Sequence, residues 1–237
     1  MFQFKHFSLH HEHSTQKIGT DSVLLGAIAP IEHVESVLDI GCGCGVIAFC
    51  ITDRLKRAGR PFVHVTGIDV DADSINEAKE NAALFPYKEA QFDFLNIAFQ
   101  DFTPKGEYDL IVSNPPYFSQ SLAPTDDKRR LSRHRDFTLP FSELVAHSAR
   151  LLRPSGKLYI ILPSTETAGF QEHAEQHWHL TEQIDIRPTP DKPIHRMILG
   201  YTPEASATHQ RGLCIRDERH QFSREYRFLT QDFYLDF

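Results

Sequence analysis

The chain has 237 residues, enough for one large domain with elaborated ends, and its 41% hydrophobic and 24% charged residues are the balance of a globular protein with a substantial core. The net charge of −7 argues against indiscriminate coating of nucleic acid, but leaves a selective nucleic-acid enzyme open because such contacts are made by local patches. Four cysteines without secreted-domain spacing, a start (MFQFKHFSLHHEH) lacking a signal or transit pattern, and no membrane-spanning apolar run predict a cytoplasmic protein with no membrane or obligatory protein partner evident.

Along the chain, apolar runs alternate with helical patterns. Val34–Asp39 predicts a strand, Val46–Ala58 a largely buried helix, and the β-branched Phe62–Asp69 the next strand. Asp71 or Asp73 can cap a helix with Ala72, Ile75, Ala78 and Ala82 on one face. Gln91–Leu95 is a weaker strand, and Tyr108–Ser113 a clear one. Phe141, Leu144, Val145, Ser148, Leu151 and Leu152 fall at helical spacing, with Pro154 and Gly156 expected to end that helix. Lys157–Leu162 is a buried strand, Thr165–Trp178 a polar helix, and Leu180–Arg187 and His195–Tyr201 are two further strands. Leu213–Phe237, rich in aromatics and Arg, matches no clear element. The alternation implies an α/β, Rossmann-like fold: a mostly parallel sheet with helices on both faces. No linker interrupts 1–237, which divides into a segment 1–33, a core 34–201 and a C-terminal elaboration 202–237.

The first strand runs into LDIGCGCGV, with glycines at Gly41, Gly43 and Gly45. A dinucleotide fingerprint would need glycine at position 46, which is Val46, so a nicotinamide or flavin ligand is disfavoured. Asp39 just before the turn would repel a pyrophosphate but hold an ammonium. Asp69, at the end of the second strand, stands where acids accept the hydroxyls of a ribose. A ligand with a cationic amino-acid end and a ribose suits both acids, and S-adenosyl-L-methionine is such a ligand. Cys42, Cys44 and Cys50 with His10, His11 and His13 offer metal donors, but not at zinc spacing, so no metal is expected and the HHEH run reads as an ordinary polar segment.

The strand at 108–113 stops in SNPPYF, because proline cannot donate to a sheet ladder. The residues after Val112 are thus held stiffly at the carboxyl edge of the sheet, where open α/β sheets bind ligands. The Asn114 side-chain oxygen and the Pro115 carbonyl can grip the hydrogens of an exocyclic amine and favour its pyramidal form as a methyl group is transferred. Pro116 stiffens the turn, Tyr117 offers a face on which an extruded base can stack, and Phe118 can line the same wall. Shortly afterwards KRRLSRHR at 128–135 holds five Lys/Arg and no acid. As a bare charge run it is equally a solvated loop, and its position after NPPY is what favours a substrate contact.

These segments resemble the class I S-adenosylmethionine-dependent methyltransferases of the N6-adenine/N-glutamine type, whose signature is (N/D/S)-P-P-(Y/F). Within that group the chain is similar to the bacterial valine-tRNA adenine N6-methyltransferases, which modify adenine 37 next to the anticodon. The pieces that carry the likeness are FKHF and KIGTD at 4–7 and 17–21, LDIGCGCG at 38–45, YDLIVSNPPYF at 108–118, SRHRDFTLPFSEL at 132–144 and REYRFLTQDFYL at 224–235. The resemblance implies a seven-stranded sheet with one antiparallel edge strand, an N-terminal segment covering the cofactor, and a tRNA substrate. It implies cofactor contacts from Thr20, Asp21, Asp39, Gly41, Gly43, Gly45, Asp69, Val70 and Asn114, with Ala98 and Phe99 flanking the adenine. Asn114, Pro115, Pro116 and Tyr117 would be catalytic, and Phe118, Lys128, Arg129, Arg130, Arg133 and His134 would meet RNA. Relatives often have Met and Gly where this chain has Gln16 and Ser22. Three alternatives share part of the pattern. A protein-glutamine methyltransferase would carry a helical domain ahead of the glycine loop, whereas here only about 36 residues precede the loop's strand. A guanine-N2 rRNA methyltransferase would use the same NPP chemistry. A non-catalytic cofactor- or RNA-binding module would have no need of intact NPPY.

Overall fold

The computed structural model describes residues 1–60, 63–104, 106–115 and 139–237. The elements among them are β1 (Phe2–Gln3), β2 (Ser8–Leu9), α1 (Thr20–Ile28), β3 (Ser36–Ile40), α2 (Val46–Arg57), β4 (His64–Asp69), α3 (Ala72–Leu84), β5 (Gln91–Asn96), a 3₁₀ turn (Phe99–Asp101), β6 (Tyr108–Ser113), α4 (Phe141–Leu151), β7 (Leu152–Pro163), α5 (Thr167–Ala174), β8 (His179–Arg187), β9 (Arg196–Thr202), β10 (His209–Cys214) and α6 (Arg224–Thr230). β1 and β2 form a small antiparallel pair; the others build one sheet in the order β10-β8-β9-β7-β6-β3-β4-β5.

Strand alternation assigns each face its own core. Val37, Leu110 and Val112 pack with α1, α2, α3 and α6 on one side, while Leu38, Ile40 and Ile111 pack with α4, α5 and Phe99 on the other. Helix α2 buries nine of its twelve residues, as its near-continuous apolar run predicts. It lies close against α1, because a Cβ at Gly26 would come within 2.6 Å of the Cys50 Cβ.

The α/β class, the parallel body of the sheet and an antiparallel strand, β9, follow the sequence expectation, but among the described residues the sheet has eight strands and β9 lies inside it. The added strand, β10, pairs in parallel with β8 at the rim and buries only Leu213, so HQRGLC has no alternation to betray it. Pro154 and Gly156 do not end α4. That helix stops at Leu151, and both residues lie inside β7, where the register with β6 jumps from Tyr108–Leu152 to Leu110–Lys157. Such an irregularity accommodates a residue with no N–H to donate. Helix α3 turns a more polar face inward than the alanine stripe suggested. Ser74, Ile75, Glu77, Ala78 and Asn81 are buried, and Ala72 is exposed. Among the described residues no helix is long and apolar enough to cross a membrane.

Candidate active site

β3 has β6 on one side and β4 on the other, so chain connectivity reverses beside it, and open α/β sheets form a ligand crevice at the carboxyl ends of such strands. Here those ends are the loop from Asp39 to Gly45, Asp69 at the tip of β4, and Asn114 just beyond β6.

The loop bends sharply because Gly41, Gly43 and Gly45 all adopt left-handed backbone, with φ of +71°, +54° and +88°. At Gly45 a Cβ would strike the Phe49 ring at 2.6 Å, whereas at Gly41 or Gly43 it would meet nothing within 4 Å. The loop therefore rests on aromatic core at one end and faces open space at the other two glycines. The N–H groups of Gly41 and Cys42 both donate to the Ile68 carbonyl, at 2.9 and 3.0 Å, tying the loop to β4.

Asp39 is fully buried. Its Oδ2 accepts the Ala48 N–H of α2 at 3.3 Å, and its Oδ1 has no hydrogen-bond partner among the described residues. Burial pushes this carboxyl up from its ordinary 3.8 to about 7; the Ala48 N–H works against the rise and the charge of Asp69 adds to it. A buried, half-satisfied carboxylate is costly, and a cation or donor brought to Oδ1 would relieve the cost. The sequence places this acid just before the glycine turn, and the structure buries it completely there.

Asp69 is only half-buried. Its Oδ2 accepts the Gly43 N–H and its Oδ1 the Asp71 N–H, both at 2.9 Å, so one carboxylate braces the glycine loop against the start of α3. Burial raises its pKa, and these N–H donors pull it back. Each oxygen keeps lone-pair capacity for a further donor. Beside it Val70 is 38% exposed, a large apolar side chain open at the cleft. Ala98 is half-buried at the start of the 3₁₀ turn, while Phe99 is 4% exposed and packs into the core beside His147. Phe99, expected to flank the adenine of the cofactor, is thus a core residue just below that edge.

Asn114 is 9% exposed, and its Nδ2 donates to the Ser22 Oγ of α1 at 3.0 Å. Before it, the Ser113 hydroxyl donates to the Ile40 carbonyl at 2.8 Å, locking the ends of β6 and β3 together. Pro115 is buried. Thr20 and Asp21 open α1; the Asp21 carboxylate accepts Arg196 Nε of β9 at 2.7 Å, and the Thr20 side chain lies near the Tyr226 hydroxyl of α6. The structure therefore gathers Thr20, Asp21, Asp39, the three glycines, Asp69, Val70 and Asn114 on one edge of the sheet. Pro116, Tyr117, Phe118, Lys128, Arg129, Arg130, Arg133 and His134 lie outside the described residues.

Four residues of this edge were not found by sequence reasoning: Ser22, Arg196, Glu77 and Asn81. The last two hold the N-terminal segment, whose histidine run is more than a polar tail. Glu77 accepts the backbone N–H groups of Glu12, His13 and Ser14 at 2.7, 3.1 and 3.0 Å, together with the Ser14 hydroxyl. Asn81 accepts the His10 N–H at 2.7 Å and donates to the carbonyls of His10 and Cys44 at 3.0 and 3.1 Å. One amide thereby joins the segment to the glycine loop. Among the described residues no cluster of three His, Cys, Asp or Glu is placed to hold a metal ion, and all four cysteines are free thiols.

Residues 7–184 match the family model described as methyltransferase small domain. The chain is 36% identical over 240 residues to the tRNA1(Val) (adenine(37)-N6)-methyltransferase of Musicola paradisiaca, an alignment covering 99% of this chain and 94% of that one. It is 35% identical to the enzyme of the same name from Phocaeicola vulgatus, over 99% of this chain and 97% of the relative. Among solved structures, a predicted O-methyltransferase from Agrobacterium tumefaciens superposes with a TM-score of 0.67 at 17% identity, covering 90% of this chain and 96% of its own. The N-methyltransferase NodS from Bradyrhizobium japonicum, in complex with S-adenosyl-L-homocysteine, gives 0.51 at 16% identity over 77% and 83%. At such identities these two speak to the fold.

Proposed function

The chain belongs to the methyltransferase small domain family, and on that premise we propose that it transfers a methyl group from S-adenosylmethionine to N6 of an adenine in tRNA, adenine 37 of a valine tRNA. The observation that carries the reading is full-length identity to enzymes of that activity, in a chain that holds Asn114 across the sheet edge from two acids and a glycine bend.

The residues suit the cofactor. The unpartnered Asp39 Oδ1 calls for a cationic or donor group, and open space lies beside Gly41 and Gly43. Asp39 would meet the ammonium, Asp69 with its spare lone pairs the ribose hydroxyls, and Val70 and Ala98 the adenine. When bound, the cofactor supplies an electrophilic methyl on a sulfonium. The chain's own task is then positional. The exocyclic nitrogen of adenine delocalises its lone pair into the ring, and acceptors at Asn114 Oδ1 and the Pro115 carbonyl draw its hydrogens into a geometry that frees that pair for in-line attack. Tyr117 would stack on the extruded base. Once methylated, the nitrogen sheds its extra proton readily, so no strong general base is needed. Lys128, Arg129, Arg130, Arg133 and His134 would neutralise phosphates that a chain of net charge −7 otherwise repels.

The test is incubation with labelled S-adenosylmethionine and total tRNA lacking the modification, followed by nucleoside analysis. Label in N6-methyladenosine supports the reading. Label in N2-methylguanosine, or in N5-methylglutamine of a protein acceptor, overturns it.

A further inference from the structure

Resting on the cofactor reading above, we propose that Asn81 is a positioning residue for the cofactor, linking the order of residues 10–14 to occupancy of the glycine loop. Asn81 lies on α3 and is 0% exposed. Its amide meets three backbone groups, each of which can play one part only. The His10 N–H donates to Oδ1 at 2.7 Å, and Nδ2 donates to the carbonyls of His10 and Cys44 at 3.0 and 3.1 Å. Turned the other way, the amide would set its NH₂ against an N–H and its oxygen against two carbonyls. Burial keeps water from replacing any of the three bonds.

Cys44 stands between Gly43 and Gly45, so its carbonyl ties the loop to α3. Gly43 donates its N–H to Asp69, and a Cβ there would meet nothing within 4 Å, so this residue faces the space assigned to the cofactor. Glycine has the most backbone freedom to lose, and a bend built on three of them keeps its shape only where neighbours hold it. Asn81 is such a neighbour, and its own amide is held by His10. Residues 10–14 have no regular secondary structure and depend on α3, through Asn81 and through the Glu77 bonds to Glu12, His13 and Ser14. Coupling of this kind is reciprocal: what the ordered segment adds to cofactor affinity, bound cofactor returns as order in the segment.

Hydrogen exchange on the full chain, with and without saturating S-adenosylhomocysteine, tests this first in wild type. Bound ligand should slow the amides of His10, Glu12, His13 and Ser14 by at least about five-fold, while those of β10 change by less than about two-fold. In Asn81→Ala, again saturated, the added protection of residues 10–14 should vanish. Calorimetry should give that variant a Kd about ten-fold higher, the equivalent of one or two hydrogen bonds, with a matching rise in KM for S-adenosylmethionine and kcat within about two-fold. Asn81→Asp keeps the acceptor for His10 and loses both donations, so it should bind at least as weakly. Combined with Glu77→Ala, the losses of affinity should fall short of adding, because either change frees the same segment. A merely structural asparagine would lower the melting temperature and leave the ligand response of residues 10–14 as in wild type. That outcome, wild-type amides indifferent to ligand, an unchanged Kd in both variants, a loss confined to kcat, or additive losses would overturn the assignment. The wild-type measurement stands whether or not the variants fold. Failure of the cofactor reading shows separately, as a wild-type protein that does not bind S-adenosylhomocysteine, and removes the assignment with it.

Discussion

At the scale of single residues, the informative feature is a carboxylate with too few partners. Asp39 has a folded pKa of about 7 against an ordinary 3.8, with burial as the main cause. For an acid whose folded pKa is raised, the stability linked to it is fully present below the unfolded value and is lost as pH rises through the folded one. The empty protein is therefore weakened by this group between about pH 4 and pH 7. A bound ammonium favours the ionised form, so affinity should run the other way. Titration calorimetry with S-adenosylhomocysteine should show binding weakening from about pH 7.5 to about pH 5.5, by at most about ten-fold per pH unit for this one group. Asp39→Asn should flatten that dependence, bind more weakly at neutral pH, and melt at a higher temperature than wild type when empty. Asn114 and Asp69 should separate cleanly. Asn114→Ala should cost about 100-fold or more in kcat with little change in S-adenosylhomocysteine affinity, as loss of an aligned acceptor does. Asp69→Ala should weaken that affinity first, because it removes both a ribose acceptor and the brace on Gly43. Equal effects of the two on binding would contradict the division of roles.

At the scale of elements, α3 and the segment ahead of α1 work as one unit. Glu77 satisfies three consecutive N–H groups of a stretch that has no regular structure of its own, and Asn81 passes the connection on to the Cys44 carbonyl. Removing the carboxylate leaves those donors unpaired, a penalty of about 1–3 kcal/mol for each group that water cannot reach. Glu77→Ala should therefore release residues 10–15 without unfolding the sheet. In hydrogen exchange, the amides of Glu12, His13 and Ser14 should lose at least about ten-fold of their protection while those of β3 and β6 keep theirs, and cofactor affinity should fall with them. Lys79→Ala, on the exposed side of the same helix, should change neither. This unit also marks how far the sequence could be read. Strand ends announce themselves: the break at Pro115, the glycine bend and the acids before and after it are local signals, and they located Asp39, Asp69 and Asn114. Contacts between distant polar residues send no such signal. Ser22 meets Asn114 across 92 positions, Asp21 meets Arg196 across 175, and His10 meets Asn81 across 71. Polar residues on the inner face of α3 look like a solvated face until the chain that satisfies them is in place.

At the scale of the whole molecule, the two ends of the chain close the same side of the sheet. The Lys5 N–H donates to the Phe233 carbonyl at 2.9 Å, and Phe4 meets the Phe233 ring edge-on, with centroids 6.3 Å apart. Phe4, Phe7 and Phe85 continue the contact inward to Phe49 on α2. Beside them, α6 reaches α1 through Tyr226 and Thr20, the helix that carries Ser22 to Asn114. The C-terminal elaboration is thus a buttress for the N-terminal segment and, through α1, for the candidate active site. It escaped sequence reasoning because its strand buries one residue and its aromatics follow no helical or strand period. Phe233 is 1% exposed, and a buried Phe→Ala change costs about 3–5 kcal/mol, so Phe233→Ala should lower the melting temperature by roughly 6–20 °C. If the buttress acts as described, the same variant, assayed well below its melting point, should also lose S-adenosylhomocysteine affinity. Trp178→Phe, a milder change in the core on the opposite face, should lower the melting temperature without touching that affinity. A Phe233 variant that melted early yet bound with wild-type affinity would make the closure a matter of stability alone.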